Sequence, residues 1–170
     1  MANLAYLYSA ERPDAWEHPE EGYNYSRWVI PPAWFFFYRV AEITWIDVTF
    51  DGMVWWKEAR FSAEKDTAAK VFAGRRALLS ALIGSEIGDQ EINKFLEVNR
   101  SRPGRYLIMN PGEVIGDEED APFFDRLFEM VEKGQTEGLT ALDHDGSAIG
   151  GLRGSRDSYL SGVFGYWCGR

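Results

Sequence analysis

Any histidine-dependent chemistry in this chain must use His18 or His144, the two histidines among its 170 residues. His144 sits in the run Asp143-His144-Asp145-Gly146, where flanking carboxylates could orient an imidazole for general-base work or add metal ligands. Counted as a calcium loop from Asp143, the twelfth position is Gly154, where a bidentate glutamate is required. A turn rich in Asp and Gly accounts for the run better. His18, beside Pro19, Glu20 and Glu21, reads as a loop histidine. Gly150-Gly151-Leu152-Arg153-Gly154 follows no clear strand and opens no clear helix, so it is not read as a phosphate loop. No nucleophile elbow, Walker loop, dinucleotide fingerprint, paired CxxC or zincin helix occurs. The expectation is a non-enzymatic chain with no cofactor and no metal. The alternative is a small enzyme or ligand-binding domain with an aromatic-lined pocket near Asp143 and His144.

Charge is the more distinctive signal. Residues 113–145 hold eleven acids and two bases, Arg126 and Lys133, whereas the remaining residues balance sixteen acids against sixteen bases. The whole net charge of −9 therefore lies in that segment. One reading is a solvated face that maintains solubility. The other is a docking surface for a basic protein, built from Asp117, Glu118, Glu119, Asp120, Asp125, Glu129, Asp143 and Asp145. Either way, nucleic acid is disfavoured as a partner, because its phosphates would be repelled.

The elements that must position these residues read as follows. Residues 4–9 form a short strand, and Glu11 to Ser26, with Pro13, Pro19 and Gly22, a long surface loop. Pro31-Pro32 opens a helix through Trp34, Phe37, Tyr38 and Ala41, although Phe35 and Phe36 make the run equally readable as a buried strand. Residues 43–50 and 53–61 flank Asp51-Gly52, the pair preferred by a type I′ hairpin turn. Such a turn sets Phe50 opposite Met53 and Val48 opposite Trp55, with Ile46 and the Lys57 stem extending the apolar face and Trp45, Asp47, Trp56 and Glu58 on the other. Ser62 caps a helix that ends at Gly84, and Asp89 caps a shorter one carrying Ile92, Phe95 and Leu96. Residues 106–109 make a strand buried on both faces, and Asp120 caps a helix to Lys133 that buries Phe124, Leu127, Phe128 and Val131. The residues from Gly138 onward hold eight of the seventeen glycines and read as loops with one or two strands.

Hydrophobic residues make up 45% of the chain and aromatics 15%, which is the composition of a protein with a real core. One α+β domain spanning residues 1–170 is expected, with an antiparallel or mixed sheet and about three packed helices. The N-terminus carries no signal-peptide pattern, the single cysteine, Cys168, has no partner in the chain, and the aromatic run 33–38 is far shorter than the roughly twenty residues needed to span a bilayer. These features point to the cytoplasm and away from a membrane.

The opening Met1-Ala2-Asn3, followed by Tyr6-Leu7-Tyr8-Ser9, resembles the start of a bacterial family whose members begin Met-Ala-Asn-Arg-Ser-Tyr-Leu-Tyr-Ser; this chain departs from it at Leu4 and Ala5. The later order of an aromatic segment after proline, a long helix and a strand ending in Asn110-Pro111-Gly112-Glu113 is similar to that family's layout. In character, the acidic, aromatic-rich chain also resembles immunity proteins of bacterial polymorphic toxin systems. That second resemblance implies neutralisation of a cognate toxin by covering a basic active-site surface, with the acidic residues named above as the contact.

Overall fold

The computed structural model describes residues 4–15, 22–27, 32–111 and 120–137. The chain is an α+β fold. Five strands, β1 (Leu4–Ala10), β2 (Gly22–Arg27), β3 (Ile43–Phe50), β4 (Met53–Glu64) and β5 (Tyr106–Asn110), form a sheet of order β2-β1-β5-β4-β3 in which every neighbouring pair is antiparallel. Among the described residues, four α-helices accompany it: α1 (Lys65–Gly74), α2 (Arg76–Ile83), α3 (Ser85–Ser101) and α4 (Ala121–Lys133).

Residues Pro32–Phe37 form a 3-10 helix rather than the expected longer helix, and Val40–Glu42 add a second 3-10 turn. Every side chain from Ala33 to Tyr38 is fully buried, so an amphipathic stripe has no meaning in this segment. Three residues per turn align side chains at i and i+3. Phe35 and Tyr38 accordingly both meet Phe61 of β4, with ring centroids at 5.6 and 5.7 Å. Phe37 faces the other way, stacked on Phe95 of α3 at 4.2 Å and edge-on to Phe72 of α1 at 4.6 Å. Helix α4 closes the cluster by placing Phe124 at 5.2 Å and Phe128 at 6.0 Å from the Phe61 ring. The strand residues facing this core are Ala5, Leu7, Ala59, Phe61, Ala63, Leu107 and Met109, aligned by the registers Leu7↔Met109, Phe61↔Met109 and Ala63↔Leu107.

A buried helix end must place its carbonyls on some donor. Here Arg75, at the junction of α1 and α2, donates from Nη1 to the carbonyl oxygens of Phe36 (3.0 Å) and Tyr38 (2.7 Å), with Phe35 further off at 3.4 Å. Burial lowers its pKa to about 10, well above physiological pH, so it remains cationic.

Several expectations are corrected. The stretch 62–84 is two helices, because Arg75 (φ −91°, ψ 17°) leaves helical geometry at the junction. Ser62 caps nothing: it pairs with Ile108 inside the sheet, and the first helical N–H, that of Lys65, goes to the Arg105 carbonyl at 2.9 Å. Asp89 lies inside α3, which starts after Gly84, and is salt-bridged to Arg76 at 2.6 Å. Asp120 precedes α4 but makes no side-chain cap bond. The loop read over 11–26 contains most of β2. The strand over 106–109 is as expected, with Leu107, Ile108 and Met109 fully buried.

Two substitutions test this architecture. Gly104 has φ +87°, and a Cβ there would lie 2.8 Å from the Ala10 backbone nitrogen; Gly104→Ala is expected to cost about 3 kcal/mol or more, read from urea midpoints. Arg75→Met keeps the apolar stem but strands the carbonyls, and the expected loss is about 3 kcal/mol. A loss under about 1 kcal/mol would show that the guanidinium does not hold the aromatic helix.

Candidate partner-docking surface

The β3–β4 hairpin turns at Asp51 (φ 51°) and Gly52 (φ 77°), the two positive values a type I′ turn requires. Phe50 pairs with Met53 as the sequence predicts, and then Thr49 pairs with Val54 and Val48 with Trp56. Val48 is thus not opposite Trp55: Trp55 is the extra residue of a β-bulge on β4. One inserted residue reverses the alternation of everything that follows it. Lys57 joins Asp47 and Trp45 on the face that packs against the helices, where Trp45 approaches Phe124 at 6.3 Å. Glu58 and Arg60 turn to the opposite face, which separates Glu58 from Trp45 and Asp47, contrary to the expected partition.

The far end of this hairpin runs beyond the core. Phe50, Met53 and Trp55 are 66%, 63% and 60% exposed, and Val54 and Trp56 are exposed as well. Phe50 and Trp55 brace each other edge-on at 5.3 Å. Five large apolar side chains at one tip exceed the scatter of single exposed hydrophobics on an ordinary surface, and contiguous apolar patches of this kind mark interaction sites.

Of the acidic residues singled out in the sequence, Asp120, Asp125 and Glu129 are described, while Asp117, Glu118, Glu119, Asp143 and Asp145 lie outside the described residues, as do His18, His144 and Cys168. Asp125 and Glu129 are exposed on α4, and Asp120 is half-buried before it. Glu129 and Lys133 form an i, i+4 ion pair that holds the Glu129 carboxyl below its usual range. Residues 120–137 hold five acids and two bases, so the described stretch carries −3 of the segment's −9.

Two further polar features stand out. On the sheet face opposite the core, Tyr8, Glu58 and Arg60 are all buried. The Tyr8 hydroxyl donates to the Ala15 carbonyl at 2.8 Å and Arg60 Nη1 to the Asp14 carbonyl at 3.1 Å, tying the segment after β1 across the sheet. Burial raises the Tyr8 pKa against the opposing effect of Arg60. On α3, burial pushes the Glu91 carboxyl up to about 7 despite Lys94, and its Oε2 is enclosed with no hydrogen-bond partner. Among the described residues, no group of three or more His, Cys, Asp and Glu side chains is placed to hold a metal ion, and no helix is long and apolar enough to cross a membrane. Comparisons with protein-family models, curated proteins and solved structures found no match to the chain.

The sequence conceals the exposed tip because strict alternation after Asp51-Gly52 gives each tryptophan a face. The adjacent pair Trp55-Trp56 is the available signal, since alternation sends two successive aromatics to opposite faces and one core-facing side cannot take both.

The Glu91 environment predicts a pH effect. A carboxyl whose folded pKa lies near 7, above the unfolded value near 4.5, binds its proton more tightly in the folded state, so stability falls as pH rises through that window. Glu91→Gln is expected to flatten this part of the stability profile and to raise the urea midpoint at pH 8 relative to the wild type. Parallel profiles for the two proteins between pH 5 and pH 8 would refute the assignment.

Proposed function

We propose that this chain is a protein-binding domain without catalytic chemistry of its own, and specifically an immunity protein that covers the basic active-site surface of a cognate bacterial toxin. The carrying observation is the exposed hairpin end formed by Phe50, Met53, Val54, Trp55 and Trp56. Tryptophan and other aromatics at the centre of a contact supply most of its binding energy once water is excluded. The −9 net charge supports a basic partner by steering encounter and penalising acidic competitors, and the acidic residues 117–145 form the outer part of the contact in this reading. The partner's lysines and arginines, which a toxin uses to hold an anionic substrate, are the groups so occupied.

The test uses the product of the adjacent gene, measured for toxicity on expression and for binding to this chain. Replacing Trp55 and Trp56 together with serine should leave the thermal midpoint nearly unchanged, because both are exposed, yet weaken binding by about 100-fold and abolish rescue from toxicity. Reversing Glu118, Glu119 and Asp125 to lysine should slow association by about tenfold at low salt and by less at physiological salt. A neighbour that is neither toxic nor bound overturns the immunity reading. Binding indifferent to the tryptophans overturns the hairpin as its docking surface.

A further inference from the structure

Among the described residues, strand β3 is the last strand of the sheet on its side, paired to β4 along one edge. Among the described residues, nothing hydrogen-bonds to the other edge over residues 44–50; the Ile43 N–H, at the strand's start, is taken by the Val40 carbonyl. Folded proteins usually blunt such an edge by making it short, inserting proline or bulging it. β3 does none of these. It runs eight residues, roughly 27 Å, without proline, and the hairpin's bulge falls on β4. An unpaired ladder of N–H and C=O groups of this length matches one kind of ligand backbone, an extended strand.

We infer that β3 takes up an extended, basic segment of the partner protein as a sixth strand, an assignment that rests on the protein-binding reading above and adds its geometry. Charge selects a basic occupant over a second copy of this chain. The strand's one charged side chain is Asp47, which is exposed, and Asp51 stands at the turn beyond it. Antiparallel self-pairing centred on residue 47 sets Asp47 against Asp47, and slipping the register by one or two residues sets it against Ile46, Val48, Trp45 or Thr49. All but the Thr49 register oppose like charges or leave a carboxylate facing an apolar side chain, and in every register two chains of −9 repel each other. A lysine or arginine on an incoming strand beside Asp47 meets the opposite condition, and apolar side chains further along it reach the Phe50 end of the tip.

The probe is an eight-residue peptide of alternating valine and lysine, capped at both ends, added at about 1 mM to the whole chain while amide hydrogen exchange is followed by NMR. The outward-pointing amides of β3 between residues 44 and 50 should slow by about tenfold. The same peptide N-methylated at every residue, which cannot donate, should have no effect, and a valine–glutamate version should protect far less. Asp47→Lys should remove the preference for the lysine peptide. Unslowed β3 amides with the valine–lysine peptide overturn the strand-addition inference, and if the tryptophan pair still governs binding of the adjacent gene product, the protein-binding reading stands without it. Concentration-dependent dimerisation that slows the same amides with no peptide present overturns the basic partner in favour of a second copy.

Discussion

A helix whose side chains are buried in succession cannot leave its last carbonyls to water, and the 3-10 segment is such a helix, with Ala33 to Tyr38 all buried. The Arg75 guanidinium resolves this constraint by donating to carbonyls at the end of the segment. Much else depends on the same contact. Arg75 can reach these carbonyls because the chain leaves helical geometry between α1 and α2, and α2 and α3 then fold back closely enough that Gly88 lies against the Ser80 backbone. With the aromatic helix fixed, Phe35 and Tyr38 hold the sheet through Phe61, and Phe37 holds α1 and α3 through Phe72 and Phe95. The segment works as a hub, and a guanidinium that stays protonated at physiological pH secures one end of it.

A single extra residue has comparable reach in the hairpin. The bulge at Trp55 lets the inner half of β4 present Ala59, Phe61 and Ala63 to the helices while the outer half carries tryptophans in solvent. It also sends Glu58 and Arg60 to the opposite face, where Arg60 joins Tyr8 in binding the carbonyls of Asp14 and Ala15. Core and exposed tip are thus two ends of one strand, separated by a local change of register.

Local patterns foretold much of this. The Asp51-Gly52 turn, the β5 strand and the apolar stripe of α4 are each written within a short window, because turn chemistry and periodicity are local. Failures came where distant partners override local preference. Ser62 is a good cap by type, but Ile108 claims it for the sheet, and the Arg105 carbonyl satisfies the N–H that a cap would have served. Similarly, no window around residues 75–84 reveals that Arg75 is needed forty residues upstream. The acidic residues were legible as a charge cluster, but charge has no periodicity, so their relation to the hairpin tip could not be read from their order.

The strand order also has a consequence for how the chain assembles. The β3–β4 hairpin closes over a two-residue turn, whereas β1 lies beside β5, about a hundred residues later in the chain. During synthesis at roughly 5–20 residues per second, β1 and β2 emerge first and wait several seconds for the strand that joins them to the rest of the sheet. Throughout that interval, the run from Trp34 to Tyr38 has neither β5 nor α4 to complete its enclosure. Contacts so separated along the chain close slowly. The nascent protein therefore carries its most aromatic segment incompletely covered until its second half has been made.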